Sequence, residues 1–146
     1  MKLVYVAGPF RGETPWDVER NVHAAECVAL EVGRHGAVPV CPHTMWRHFD
    51  KTLPDSFWLR ACGDLLRKCD AMVRFKGWQD SVGTCAESAL ASELGMRIID
   101  WESPTASLEL ATWLGEGVVC ANPLREPCRE PCVDCPGQGL LTWPTK

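Results

Sequence analysis

The chain predicts an α/β protein built on a parallel sheet, and three observations carry that prediction. Short β-rich runs alternate with helical patterns along the first two thirds of the sequence. A complete βαβ unit is legible at Ala71 to Trp101, where Ala71-Met-Val-Arg-Phe75 reads as a buried strand, Gly77 to Thr84 as a loop, the residues up to Gly95 as a helix, and Met96 to Trp101 as a second strand. Glycine loops follow two of the strands, at Gly8 to Gly12 and at Gly77 to Gly83, where a parallel sheet presents ligands at its carboxyl edge.

In chain order, residues 2–7 form the first strand and Gly8-Pro-Phe-Arg11-Gly12 breaks it. Thr14 is placed as an N-cap with Pro15 at the first helical position and Asp17 three residues after the cap. Val18, Val22, Ala25, Ala29 and Val32 keep one apolar stripe at helical spacing until Gly33 and Gly36 end the helix. Residues 37–40 form a second strand, with Cys41-Pro42-His43-Thr44 at its carboxyl end, so His43 belongs to the mouth shared by the two glycine loops. Trp46, Phe49, Phe57 and Trp58 follow in a stretch broken by Pro54. That cluster suits a base-stacking wall, a subunit interface or a cover for the core, of which the cover is the simplest reading. A helix over about 55–68 leads into Asp70, read as a solvated or capping group at a strand start, and the central strand. After Trp101, Ser103-Pro104 opens a last helix that buries Leu108, Ala111 and Leu114 and is capped by Gly115. Val118-Val119 is a weak signal for a fifth strand.

The chemistry concentrates in Gly77-Trp-Gln-Asp-Ser81-Val-Gly83-Thr84-Cys-Ala-Glu87. Ser81 and Thr84 present hydroxyls and amides at a helix N-terminus, a setting that suits a phosphate or another oxyanion. Arg11 stands where a cation meets an anionic ligand, or where a solvated loop charge would stand equally well. Glu87 has two readings. Thr84-Cys-Ala-Glu87 matches a capping box, and the same carboxylate at the mouth of the sheet is a candidate reactive group.

Composition narrows the function classes. The 146 residues are 46% hydrophobic and 23% charged, enough for one domain with a core. A formal net charge of -4 without a Lys/Arg run excludes nucleic acid as the main partner. No run reaches the roughly 18 apolar residues of a membrane span, and Met1-Lys-Leu-Val-Tyr-Val-Ala-Gly8 lacks a signal-peptide pattern, so a cytoplasmic protein is expected. Cys27, Cys41, Cys62, Cys69 and Cys85 are scattered singly, as reduced, buried thiols of a reducing compartment are.

From about Cys120 the helical and strand patterns stop. The expected division is an α/β domain over 1–119 and a Cys/Pro-rich tail over 120–146. Cys132-Val-Asp-Cys135-Pro-Gly-Gln-Gly139 has the form of a zinc knuckle, with Cys120 and Cys128 as the further candidate ligands. Such a zinc would be structural, since four thiolates leave no open position, and no cofactor is expected for catalysis.

Val4-Tyr5-Val-Ala-Gly8-Pro-Phe-Arg11-Gly12, Glu19-Arg-Asn21, Val38-Pro-Val-Cys-Pro42-His43, Leu65 to Ala71 and Gly77 to Glu87 together resemble the nucleoside 2-deoxyribosyltransferase-like superfamily, closest to a small branch common in phage and actinobacterial genomes. The resemblance covers about residues 1–101 and leaves the tail aside. It implies a flavodoxin-like parallel sheet with helices on both faces. It also implies a small-molecule nucleoside or nucleoside 5′-monophosphate as partner, and a homo-oligomer. The implied activity is hydrolysis of an N-glycosidic bond or transfer of deoxyribose between bases.

By position, Glu87 matches the family's nucleophile and Tyr5 the phenol that hydrogen-bonds it, while Gly8, Arg11 and Ser81 fall where hydrolytic relatives hold a 5′-phosphate. Pro9, Gly12, His43, Asp70, Trp78, Gly83 and Thr84 complete the expected substrate-binding set. The sequence departs from the family at the second carboxylate, whose place is taken by Cys62. Asp64 is the nearest acid, but two residues along a helix turn it by about 200°. Asp64 serves through a local shift, another group serves, or the chemistry is lost. A noncatalytic nucleotide sensor is the alternative that Cys62 favours. A phosphoribohydrolase is the alternative that Gly83-Thr84-Cys-Ala-Glu87 favours, although the paired-glycine turn of that family is replaced by Trp78-Gln-Asp-Ser81.

Overall fold

The structure is a computed structural model and describes residues 1–49 and 51–115. Four parallel strands, β1 (Leu3–Ala7), β2 (Val38–Val40), β3 (Ala71–Arg74) and β4 (Arg97–Asp100), lie in the order β2-β1-β3-β4. Helix α1 (Pro15–Arg34) connects β1 to β2, and the short α2 (Pro42–Met45) with α3 (Asp55–Leu66) connects β2 to β3. A single 3-10 turn at Trp78–Asp80 and α4 (Val82–Glu93) connect β3 to β4, and α5 (Ala106–Leu114) follows β4. This is the flavodoxin-like order, and its reversal between β1 and β3 opens a crevice at their carboxyl ends.

The two inner strands are buried on both faces, hence their continuous apolar sequences. On one face Val4, Val6, Ala71, Val73 and Ile99 pack against Val28 and Val32 of α1 and Leu110 of α5. On the other, Tyr5, Ala7 and Met72 pack against Leu66 of α3 and Ala91 of α4. Pro39 has no amide hydrogen to donate, and it is accommodated because β2 lies at an edge of the sheet.

Local signals placed the helix starts unequally well. The capping box at Thr14 and Asp17 forms in both directions, with Pro15 at the first helical position. At the other end α1 runs through Gly33 to Arg34, and the left-handed residue that closes it is Gly36, with φ +78°. Helix α5 begins at Ala106 rather than at Ser103-Pro104, and its buried residues are Ala106, Leu110 and Ala111. Ala111 is buried and Leu114 packs partly buried against the core as expected, whereas Leu108 is 59% exposed because the buried stripe runs through Ala106 and Leu110. Cys41 and Cys69 are buried as expected, whereas Cys27 and Cys85 are exposed; all five described thiols are free. The expected fifth strand at Val118-Val119 and the cysteines Cys120, Cys128, Cys132 and Cys135 lie outside the described residues. Among the described residues, no helix is long and apolar enough to cross a membrane.

Candidate active site

A cleft of about 630 Å³ opens at the carboxyl ends of β1 and β3, within the range that encloses a small organic ligand. Tyr5 of β1, Gly8 to Arg11 of the following loop, Pro42 and His43 of α2, Cys62 of α3, and Ser81 to Thr84, Ala86 and Glu87 at the start of α4 all line it. Trp46, Trp58 and Leu59 form an apolar wall opposite, and Asp55 and Asp80 stand on its polar side.

Helix phase decides what Glu87 does. The N-cap of α4 is Ser81, whose Oγ accepts from the Thr84 amide at 3.3 Å and from the Thr84 hydroxyl at 3.0 Å. The helix therefore starts three residues earlier than the Thr84 capping box required, and Glu87 falls in its second turn, clear of the helix end. There the Tyr5 hydroxyl donates to Glu87 Oε1 at 2.8 Å. The Cys62 thiol of α3 lines the cleft beside the same carboxylate. Burial raises the Glu87 pKa, and Tyr5 and Cys62 oppose that shift without reversing it. Tyr5 is 1% exposed, and burial together with the Glu87 charge pushes its phenol far above its ordinary value, so it remains a donor. Burial likewise pushes the Cys62 thiol up to about 12.

The loop after β1 is held by its neighbours. The Asn21 amide donates to the carbonyls of Phe10 and Arg11 at 3.2 and 2.9 Å. His43 is buried between Phe10 and Phe75 and contacts the carbonyls of Gly8 and Pro9 through Nε2 at 3.1 and 3.2 Å. Two carbonyls require Nε2 to carry the hydrogen, and desolvation lowers the ring's pKa, so His43 is neutral and works as a strut for the loop. Its Nδ1 is buried without a partner. Gly8 is needed because a Cβ there would lie 2.2 Å from ring atoms of Phe75.

Several expected site residues stand elsewhere. Asp64 is on the outer face of α3, 71% exposed and paired with Arg67 at 3.4 Å, because its place in the helix turns it away from Cys62. Asp70 lies at the amino end of β3, opposite the cleft, where it accepts from the Leu3 amide at 2.7 Å. Trp78 covers Arg74, whose guanidinium carbon is 3.6 Å from the ring centroid, and does not line the cleft. Gly12 sits over the first turn of α1, where a Cβ would come 2.1 Å from Asp17, and is likewise outside the cleft lining. Gly83 is a helical residue in the first turn of α4, while Gly77, at φ +81°, makes the left-handed turn that loop needs.

Other participants are only weakly signalled: the aromatic cluster has a base-stacking wall among its readings, with the core cover as the simplest. Trp58 contacts Trp46, Phe49 and Phe57, with centroids 5.2, 6.2 and 5.0 Å away. The cluster thus builds a cleft wall and leaves Phe49 and Phe57 exposed; it does not cover the core. Asp55 was unremarkable as a helix-start acid, yet it pairs with Arg11 across the mouth. Asp80 lay inside the singled-out stretch, and its place in the 3-10 turn brings it to the rim.

The arrangement offers a half-buried carboxylate held by a phenol donor with a thiol beside it, at the end of a mostly apolar cleft whose wall has aromatic faces. Among solved structures, the 2-desoxiribosyltransferase from Leishmania mexicana is similar, with a TM-score of 0.50 and 22% identity over 68% of this chain and 63% of that one. The likeness is one of fold, and the match spans less than two thirds of that enzyme's length. No curated protein matches the chain. The profile of the family described as "Domain of unknown function (DUF7768)" matches residues 2–101, and the chain belongs to that family.

Proposed function

We propose that the protein cleaves or exchanges the N-glycosidic bond of a nucleoside or nucleoside 5′-monophosphate with Glu87 as nucleophile. The observation that carries this reading is the Tyr5 to Glu87 hydrogen bond at 2.8 Å inside the cleft. In the first step a Glu87 oxygen forms a bond to C1′ of the sugar while the C–N bond to the base breaks, its electron pair leaving with the base, which takes up a proton. In the second, water or another base attacks C1′ and returns the carboxylate. Tyr5 orients Glu87 and draws charge from it; the Trp46 and Trp58 wall supplies stacking surface for the base. The likeness of fold to a deoxyribosyltransferase supports the same class of chemistry.

Cys62 supports a second reading. A thiol pushed up to about 12 stays protonated at neutral pH, and Asp64 faces away, so neither offers the leaving base the assistance of a second carboxylate. A nucleotide-binding module without turnover would keep the cleft and dispense with that group. One experiment separates the two: incubation with a panel of nucleosides and 5′-monophosphates, followed by chromatography for free base. Base release supports the enzyme; saturable binding without release supports the module.

Phe49, Leu53, Phe57 and Leu59 are exposed on the segment that walls the cleft, and this apolar face suits a homo-oligomer. The free thiols suit a reducing, cytoplasmic setting. The tail cysteines remain candidates for a structural zinc.

A further inference from the structure

Arg11 leaves the loop after β1 at the mouth of the cleft and meets Asp55, the first residue of α3, through both arms of its guanidinium. Nη1 donates to Oδ2 at 2.7 Å, and Nη2 donates to Oδ1 alongside. Both side chains line the cleft, and both are well exposed, at 60% and 59%. A guanidinium uses this same fork to hold a phosphate, so a carboxylate seated in it competes directly with a phosphate for the same donors.

Elsewhere among the described lining residues an anion finds the N-terminus of α4, where Ser81 already caps the Thr84 amide, and no second cation. The other charged lining residues of the cleft are Asp80 and Glu87, both acids, and Arg11 is the one cation among the described lining residues. A 5′-monophosphate carries about -1.5 to -2 charges at neutral pH. To reach Arg11 it must displace Asp55 and then leave that carboxylate beside it in a cleft already rich in negative charge. Arg11 also holds the Asp55 carboxyl below the usual carboxylate range, so neutral pH does not release it by protonation. A neutral nucleoside meets none of these obstacles. Its hydroxyls can donate to the lone pairs of Asp55 that the fork leaves open, with the ion pair intact.

We propose that Asp55 is a specificity residue: by occupying the Arg11 guanidinium across the mouth, it reserves the cleft for unphosphorylated nucleosides and turns away their 5′-monophosphates. The proposal rests on the reading of the cleft as a nucleoside site and narrows its substrate class.

The test measures affinity by titration calorimetry for one nucleoside, its 5′-monophosphate and inorganic phosphate. The proteins are the full chain, Asp55→Asn and the double variant Arg11→Gln/Asp55→Asn. The wild-type chain is expected to prefer the nucleoside by about tenfold or more and to show no saturable phosphate binding. Asp55→Asn removes the carboxylate that competes with phosphate, so the preference should move toward the monophosphate by roughly 10- to 100-fold, the range of a charge-assisted contact. Phosphate binding should appear with it, and both gains should vanish in the double variant. A wild-type preference for the monophosphate, or an Asp55→Asn protein with unchanged preference and no gain in phosphate affinity, overturns the proposal. If the wild-type chain binds neither nucleoside nor monophosphate, the nucleoside reading itself is lost. The phosphate arm still decides whether Asp55 blocks Arg11. Both substitutions are at exposed positions, and unchanged circular dichroism and Tm show that the fold survives them.

Discussion

The Tyr5 phenol donates to Glu87 Oε1 at 2.8 Å across 82 residues of sequence, joining the middle of β1 to the second turn of α4. Tyr5 is buried and Glu87 half-buried, where a lone polar group would be costly, so each holds the other in place. The bond engages Oε1 of the carboxylate.

Glu87→Gln should abolish base release, a loss on the order of 1,000-fold or more, because an amide cannot attack C1′. The same variant should be more thermally stable than the wild-type chain at neutral pH. Burial raises the Glu87 pKa in the folded state, so the folded chain keeps this proton longer than the unfolded one, and stability falls as pH rises through the folded pKa. Melting curves at acid and neutral pH check the sign. The Tm advantage of the variant should grow from acid to neutral, and a variant that is less stable at pH 7 contradicts it.

The acid limb of the activity profile should lie above the ordinary carboxylate range, since Glu87 must be ionised to act and burial raises its pKa. Tyr5→Phe removes a hydrogen bond that lowers that pKa, so the limb should move further up. The rate at its plateau should fall about 5- to 10-fold, the worth of one neutral-donor hydrogen bond. Rate measurements across pH read both effects, and a limb that stays in place would mean that the bond does not tune Glu87.

Alkylation should sort the described cysteines by environment. Cys62, half-buried beside Glu87 with its thiol pushed up to about 12, should react slowly with iodoacetamide at neutral pH in the folded protein. Exposed Cys27 and Cys85 should react first. Peptide mass mapping after timed labelling gives the order, and early modification of Cys62 would contradict its placement.

Gly8→Ala should destabilise the chain by roughly 1–3 kcal/mol, because the new methyl group would meet the Phe75 ring that packs beneath the loop. Denaturant titration measures it. A neutral result would mean that Phe75 moves aside at little cost.

Removal of the residues after Val119 should leave whatever activity the full chain shows, because every residue assigned to the cleft precedes that point. Metal analysis of the full and shortened chains addresses the knuckle at the same time. A zinc-free full chain excludes it, and a folded but inactive shortened chain shows that the tail belongs to the site.

The sequence by itself determined the parallel sheet, the order of its elements, the capping box at Thr14 and the glycine loop that begins at Gly77, because each follows from neighbours within a few residues. Residue-by-residue likeness to a known superfamily also brought forward Tyr5 and Glu87 as a pair, which periodicity alone did not. Tertiary structure decided the rest. A four-residue match to a capping box was ambiguous until the competing cap at Ser81 set the phase of α4 and moved Glu87 out of the first turn. The same kind of phase placed Asp64 on the outer face of α3 while Cys62 faced in, and the direction of β3 put Asp70 at the wrong end of the sheet. Arg11 looked like a ligand for phosphate because it stands in the glycine loop after the first strand, at the mouth of the sheet. Asp55, 44 residues away, claims it only once α3 is docked beside the loop, since ion-pair geometry depends on distance in space and leaves no mark on local spacing.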